Sequence, residues 1–308
     1  MNSADWPDVA AAPLPDVRTV PDVALIFEGG GMRASVTAPV VQLLLREGIA
    51  FPLVCGISAG SSHTINYLAR QPGRAKASFV DFGADPRIGN AGTWLRGRGL
   101  FDSEYIYMHT AGVGQALPLD FVSFQANPAD MRLGAFPIDD SEEVYFDRSG
   151  VKTLRDLLLR VRASSSMPIL MPPVTIDGRQ YLDGALGPSG GIPLDAAEAA
   201  GFQRFFVVLT RERAYRKRAE APKAVFDVWW RNHARVRDAL NNRPGVYNAT
   251  RERIFELEAR GQALVFAPAT KPPATSNTVD VTKLRACYDL GRAQAEADVP
   301  RWKEWLGV

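Results

Sequence analysis

Two glycine-framed motifs carry residue types suited to acyl transfer. Residues 27–34 read F-E-G-G-G-M-R-A, and residues 56–60 read G-I-S-A-G, about one helix and one strand later. The second is the nucleophile-elbow pattern G-x-S-x-G: Gly56 and Gly60 let a strand turn sharply into a helix and leave the Ser58 hydroxyl exposed. The first offers backbone N–H groups, from Gly29, Gly30, Gly31 and Met32, at a helix N-terminus, where a tetrahedral oxyanion needs donors. A third element is Asp183-Gly184-Ala185. It follows V-T-I, D-G and R-Q-Y-L at 174–182, the pattern of a β-hairpin closed by a two-residue turn. An aspartate there is expected to present its carboxylate at the sheet edge rather than buried.

The elements that must position these residues read as repeated strand, turn and helix. Residues 23–27 and 51–55 are apolar runs, as expected of strands buried on both faces. Residues 36–45 read as a helix with Pro39 in its first turn and Gly48 as its stop, and 61–70 as a helix closed by Pro72-Gly73. Further along, 192–201 reads as a helix, and 205–209 and 263–266 as strands. This is a parallel α/β signature, with sites beyond the carboxyl ends of the strands. Residues 82–140 carry mixed signals and are expected to form a loop-rich lid or substrate wall.

Each motif has a competing reading. Ser58 alone fits an ordinary tight turn, and Asp183 a second turn-forming aspartate like Asp177. Gly29, Gly31 and Ala34 also satisfy the dinucleotide fingerprint G-x-G-x-x-G/A, but that site needs an acidic residue at the end of the second strand. The chain has Cys55-Gly56-Ile57-Ser58 there, so no nicotinamide or flavin cofactor is expected. A catalytically silent lipid-binding module is the remaining rival.

Taken together and in this order, G-G-G-x-R at 29–33, the elbow at Ser58 and D-G-A at 183–185 resemble the patatin-like acyl hydrolases and phospholipases of bacteria. A-S-S-S-M-P at 163–168 is similar to that family's small-residue segment before its aspartate. N-R-P-G-V-Y-N at 242–248, with the helix, strand and helix expected after it, is similar to the C-terminal region of bacterial members. Ala34 departs from the glycine often found after the loop's arginine, and is small enough to keep the turn.

The resemblance implies a Ser58–Asp183 dyad without histidine, an oxyanion loop from Gly29 to Arg33, and a lipid or other carboxylic ester as substrate. It also fits the expected fold, a three-layer α/β/α sandwich with a largely parallel central sheet and a C-terminal helical extension. The expected division is a loose arm at 1–20, a catalytic core at 21–210 and an extension at 211–308 packed on the core. Arg33 is left with two roles, bracing the loop through carbonyl contacts or assisting the anion.

Three histidines test the dyad: His63, His109 and His233. His63 follows Ser58 on the same expected helix and points away from it, which suits a surface or packing role. His109 has no acidic partner in sequence. His233, on an expected amphipathic helix, alone could complete an α/β-hydrolase order as Ser58, Asp183, His233. That arrangement needs a long crossover between oxyanion loop and elbow, where this chain has one helix and one strand, so the dyad is the preferred reading.

Composition bounds the rest. The 308 residues are 46% hydrophobic, enough for one large domain or a domain with an extension. No stretch has the apolar length of a membrane span, and the N-terminus lacks the basic and apolar regions of a signal peptide. Two cysteines, Cys55 and Cys287, give neither a disulfide framework nor metal spacing, and a reducing cytoplasm is expected. No metal is expected. The net charge of +2 gives no nucleic-acid signal. R-E-R-A-Y-R-K-R at 211–218, followed by Phe226, Trp229 and Trp230, reads either as a solvated loop before a packed helix or as a platform on an anionic membrane surface. Trp302 and Trp305 read as packing residues.

Overall fold

The structure is a computed structural model and describes residues 16–89, 92–93, 96–139, 144–168, 170–219 and 223–308. Residues 1–15 of the expected arm and the Trp229 side chain lie outside the described residues. The strands are β1 (Arg18–Thr19), β2 (Val23–Phe27), β3 (Ile49–Ala50), β4 (Leu53–Ile57), β5 (Asp130–Pro137), β6 (Val144–Phe146), β7 (Val174–Ile176), β8 (Arg179–Asp183), β9 (Arg204–Val208) and β10 (Ala263–Phe266). β1 pairs parallel with β3. The main sheet runs β10-β9-β2-β4-β5-β8-β7, with β6 also on β5. β10, β9, β2, β4 and β5 are parallel, whereas β6 and β8 pair antiparallel with β5, and β7 with β8.

The apolar runs explain the layering. Successive side chains of a strand point to opposite faces, so a strand covered on both sides must be apolar throughout. In β2, Leu25 and Phe27 join a core that includes Val41 and Leu44 of helix Ala38–Arg46 and Leu284 and Trp302 of helix Val281–Leu306. Ala24 and Ile26 face the other way, against Leu194 of helix Leu194–Ala199 and Tyr247 and Ile254 of helix Ala234–Ala259. The protein is therefore a three-layer α/β/α sandwich with a largely parallel sheet and C-terminal helices.

Trp302 is fully buried and meets Phe206 and Phe266 edge-on at 5.2 and 6.2 Å. Trp305 is partly buried, with the Arg204 guanidinium 4.2 Å from its ring centre. Trp302→Ala is expected to cost about 3–5 kcal/mol, read as a lower urea midpoint at unchanged slope, and Trp305→Ala clearly less.

Several local expectations are corrected. Pro72 does not close a helix: helix Ala59–Leu68 ends earlier, and Pro72 sits in the first turn of a new helix, Pro72–Phe79, where its missing N–H is harmless. Residues 31–36 form a 3-10 turn before helix Ala38–Arg46. The segment read as lid or wall contains short helices Ser103–Met108 and Phe121–Ala126 and also β5, a sheet strand. Arg132 and Gly134 interrupt its apolar pattern. Arg132 pairs with Asp130 at 2.5 Å, and a side chain at Gly134 would crowd Ile57. Pro244 and Gly245, expected ahead of a helix, lie inside the 26-residue helix Ala234–Ala259, held there by buried Val236, Leu240, Tyr247 and Ile254. Among the described residues no helix is long and apolar enough to cross a membrane.

Candidate active site

β2 and β4 are parallel neighbours with Phe27 opposite Gly56, so the Gly-rich loop and Ser58 leave the sheet side by side. Gly29 lies against the elbow: a Cβ there would stand 3.1 Å from both Ile57 O and Ser58 Cβ. Gly60 lets the elbow close, because any side chain would collide with the carbonyl of Phe27. Ser58 itself has φ 57° and ψ −124°, a strained conformation for a residue with a side chain. Its N–H donates to Ser164 Oγ at 3.0 Å, and its carbonyl accepts from Ser61 N at 2.9 Å and Ser61 Oγ at 2.6 Å.

Asp183 ends β8. Its N–H donates to Ser166 O at 3.0 Å, and its Oδ1 accepts from Ala185 N at 2.8 Å. The small-residue segment therefore holds both groups, Ser164 bracing Ser58 and Ser166 bracing Asp183. The carboxylate is not at an open edge as expected. Asp183 is 1% exposed, because helix Leu154–Ser164 and the turn at 184–186 cover the end of β8. Gly184 permits this: a Cβ there would strike the carbonyl of Gly134.

Ser58 and Asp183 line one cavity of about 590 Å³, together with the Gly-rich loop. Tyr107 lines it too. Burial pushes its phenol above the ordinary value, and the negative charge of Asp183 acts in the same direction.

The expected oxyanion donors divide. Gly29 N–H is used on Gly191 O and Met32 N–H on Ser276 O, each at 3.0 Å. Among the described residues the N–H groups of Gly30 and Gly31 have no protein acceptor. Gly31 adopts φ 54° in the left-handed region. Arg33 is buried, and its Nε donates to Thr210 Oγ1 at 3.3 Å, which in turn donates to Gly29 O at 3.1 Å. The guanidinium thus reaches the loop through the Thr210 hydroxyl and not by the direct carbonyl contact expected of a brace. Burial holds its guanidinium below the ordinary value, Arg211 adds to that, and Glu28 opposes it.

The sequence reading assigned no support beneath the loop. Glu28, 3% exposed, accepts from Thr210 N at 2.5 Å and from Tyr247 Oη at 2.6 Å. Arg251, fully buried, donates to Tyr247 Oη at 3.4 Å and to Glu212 O at 2.8 Å. The acidic residue in F-E-G-G-G and the tyrosine in N-R-P-G-V-Y-N were the available signals.

The histidines are elsewhere. His63 is fully buried, with Nε2 3.1 Å from Ala34 O and 3.0 Å from Thr37 Oγ1, and its ring lies between Phe27 and Phe79. It is a packing residue and not a surface one. His109 is exposed. His233 caps helix Ala234–Ala259 rather than lying within a helix; its side chain is 42% exposed, with Nδ1 3.9 Å from Asp139 Oδ1, and it does not line the cavity. The triad order is therefore not assembled around Ser58.

Burial pushes the His63 imidazole down to about 4 from its ordinary 6.5, the bond to Ala34 O only partly opposing this. Between those values the unfolded chain binds a proton that the folded chain does not. Stability contributed by neutral His63 is thus present above pH 6.5 and declines as pH falls toward 4, by up to about 3 kcal/mol. Urea titrations across that window should show a shallower decline in His63→Gln than in the parent protein.

The basic segment divides as well. Arg213 pairs with Glu258 at 2.6 Å and Arg216 with Glu252 at 3.1 Å, while Phe226 is buried and lines the cavity. No acidic residue ends β4, so the dinucleotide reading lacks its ribose contact. Among the described residues no group of three or more His, Cys, Asp or Glu side chains is placed to hold a metal.

Residues 25–197 match the family profile described as patatin-like phospholipase, and residues 233–307 match one described as a domain of unknown function (DUF6363). Uncharacterized protein YjjU of Escherichia coli (strain K12) is 28% identical over 190 residues, covering 61% of this chain and 52% of that protein. The chain thus spans about half the length of this curated relative. The crystal structure of VipD from Legionella pneumophila aligns with TM-score 0.45 at 11% identity, covering 90% of this chain and 67% of that one.

Proposed function

Because the chain belongs to the patatin-like phospholipase family, we propose that it is a lipid acyl hydrolase cleaving carboxylic esters at Ser58 through an acyl-enzyme. The observation that carries this reading is the juxtaposition in one cavity of a strained elbow serine, a buried aspartate and two loop N–H groups without protein acceptors.

Ser58 Oγ attacks the ester carbonyl as its proton passes to Asp183. The developing oxyanion is held by the N–H groups of Gly30 and Gly31, each donor worth about 10²–10³ in rate. Collapse breaks the ester bond, and the proton on Asp183 goes to the departing alcohol. A water then attacks the acyl-enzyme with Asp183 again taking the proton; collapse breaks the bond to Ser58 Oγ, which takes that proton back, and the fatty acid leaves. Base catalysis of this kind contributes about 10²–10⁴-fold. The strain at Ser58 and the braces from Ser164 and Ser166 keep nucleophile and base fixed before substrate arrives.

The test is turnover of four ester classes, a lysophospholipid, a diacyl phospholipid, a neutral glyceride and a short-chain ester, with and without a chelator. Hydrolysis of at least one class, unchanged by chelation, is expected. Folded protein that cleaves none, or activity lost to the chelator and restored by calcium or zinc, contradicts the reading.

A further inference from the structure

The Gly-rich loop is held from two sides. On one, Gly29 N–H donates to Gly191 O, and the Thr210 hydroxyl donates to Gly29 O while accepting from Arg33 Nε. On the other stands the C-terminal region at 233–307, whose matched profile carries no function. We propose that this region is the rear support of the oxyanion loop, with Tyr247 as its principal positioning residue, so that a segment remote from the motifs sets the rate of acyl transfer. The proposal rests on the acyl-hydrolase reading of Ser58 and assigns the C-terminal region its part in that reaction.

Contacts from this region fall along the whole loop. Tyr247, in helix Ala234–Ala259, donates its hydroxyl to Glu28 Oε1 at 2.6 Å. Ser276, between β10 and the last helix, accepts Met32 N–H at 3.0 Å, and its carbonyl lies so close to Gly31 that a Cβ there would collide. Cys287, in helix Val281–Leu306, donates from Sγ to Arg33 O at 3.8 Å. One turn further on, Gly291 passes over the carbonyl of Val36, where any side chain would collide. Gly30 and Gly31, whose N–H groups are the candidate oxyanion donors, therefore lie between Glu28 and Met32, and the C-terminal region fixes both.

Tyr247 is set to carry most of this. It is 5% exposed, and its hydroxyl also accepts from Arg251 Nη1 at 3.4 Å, a guanidinium held in turn by Glu212 O at 2.8 Å and Arg213 O at 3.3 Å. Its backbone presses on Gly190, where a Cβ would stand 2.7 Å from Tyr247 N and Cα, and the next residue supplies the carbonyl that holds Gly29 N–H. One residue thus steadies Glu28 directly and Gly29 through the 190–191 turn. A phenol donating to a buried carboxylate is a charge-assisted bond, and its loss strips a buried oxygen of a donor. Oxyanion donors act only when aimed at the place where charge develops, and a misplacement of about 1 Å can cost about 10²-fold. The cost falls on the transition state and spares ground-state binding.

The test compares two buried hydroxyls of the same region. Tyr288, 7% exposed in the last helix, donates to Gln42 of helix Ala38–Arg46, and neither residue lines the cavity. On one soluble ester, Tyr247→Phe should lower kcat by about 10–100-fold with KM within about twofold, whereas Tyr288→Phe should keep kcat within about twofold at a similar loss of thermal stability. A trifluoromethyl ketone, which adds to an activated serine as an anion, should bind Tyr247→Phe more weakly by about the factor lost in kcat/KM. Glu28→Gln reads the same bond from the loop side and carries the kinetic test if Tyr247→Phe does not fold. Combined with Tyr247→Phe it should fall little below the worse single variant, because both remove one interaction. Parent-like kcat in folded Tyr247→Phe, a loss confined to KM, an equal kcat loss in Tyr288→Phe, unaltered ketone affinity or full additivity overturns the proposal. A parent protein that cleaves no ester defeats the hydrolase reading separately. The support is then read by amide exchange of residues 28–33 with mass spectrometry. Exchange should be faster in Tyr247→Phe than in the parent and in Tyr288→Phe, and a parent-like rate overturns the proposal.

Discussion

Ser58→Ala is expected to lower ester turnover by about 10³-fold or more, and Asp183→Asn by about 10²–10⁴-fold, while His233→Ala stays within a few-fold of the parent. The first change removes the attacking oxygen. The second leaves an amide of nearly the same shape that cannot take the serine proton. Both should fold, since Ser58→Ala deletes one hydroxyl and an asparagine Oδ1 can still accept from Ala185 N–H. His233 is half exposed beside Asp139 and absent from the cavity lining, so its loss should affect only the start of one helix. A Ser-His-Asp enzyme would show the reverse, with the histidine variant about as damaged as the serine variant. One soluble ester, three variants and circular dichroism separate the cases.

Gly31→Ala is the next largest expected effect, a fall of about 10²–10³-fold in kcat with the fold retained. Gly31 has φ 54°, unfavourable by about 1–2 kcal/mol for a residue with a side chain. A Cβ there would also collide with the backbone carbonyl of Ser276, the group that holds Met32 N–H. Relief of that collision has to move the loop, and with it the N–H groups of Gly30 and Gly31. The central sheet does not depend on this contact, so thermal unfolding should change little compared with kcat.

The parts of the fold legible in the sequence are those set by local pattern. The run V-A-L-I-F shows β2 because both faces of that strand are covered; the run at 51–55 shows β4 only in part, since the strand lies at Leu53–Ile57 and Phe51-Pro52 precede it, and the Asp177-Gly178 turn shows in the chain because both residues need positive φ, 50° and 80°. β5 was hidden because its register with β4 and β8 depends on Arg132, Gly134 and Pro137, types that lower strand propensity when read alone. Pro244 read as a boundary because a helix interior disfavours proline, yet packing of the neighbouring turns carries the helix through it.

The same contrast holds at the candidate site. The motifs name Ser58, Asp183 and the loop through short spacings. They cannot reveal that Glu28 and Tyr247 meet across 219 residues, or that Ser276 takes up the Met32 donor, because those bonds exist only once distant segments are packed. Burial of Asp183 was likewise invisible, since a D-G-A turn looks the same at an open edge and beneath a helix.

The account turns on Ser58 being the residue acylated. Incubation of the folded protein with a fluorophosphonate, followed by proteolysis and mass spectrometry, reads this directly, because such probes form a covalent bond with an activated serine. The expected result is one stoichiometric adduct, on Ser58, absent after heat denaturation and in Ser58→Ala, and slowed strongly in Asp183→Asn. Folded protein that hydrolyses esters while Ser58 stays unmodified, or carries the adduct on another residue, contradicts the account.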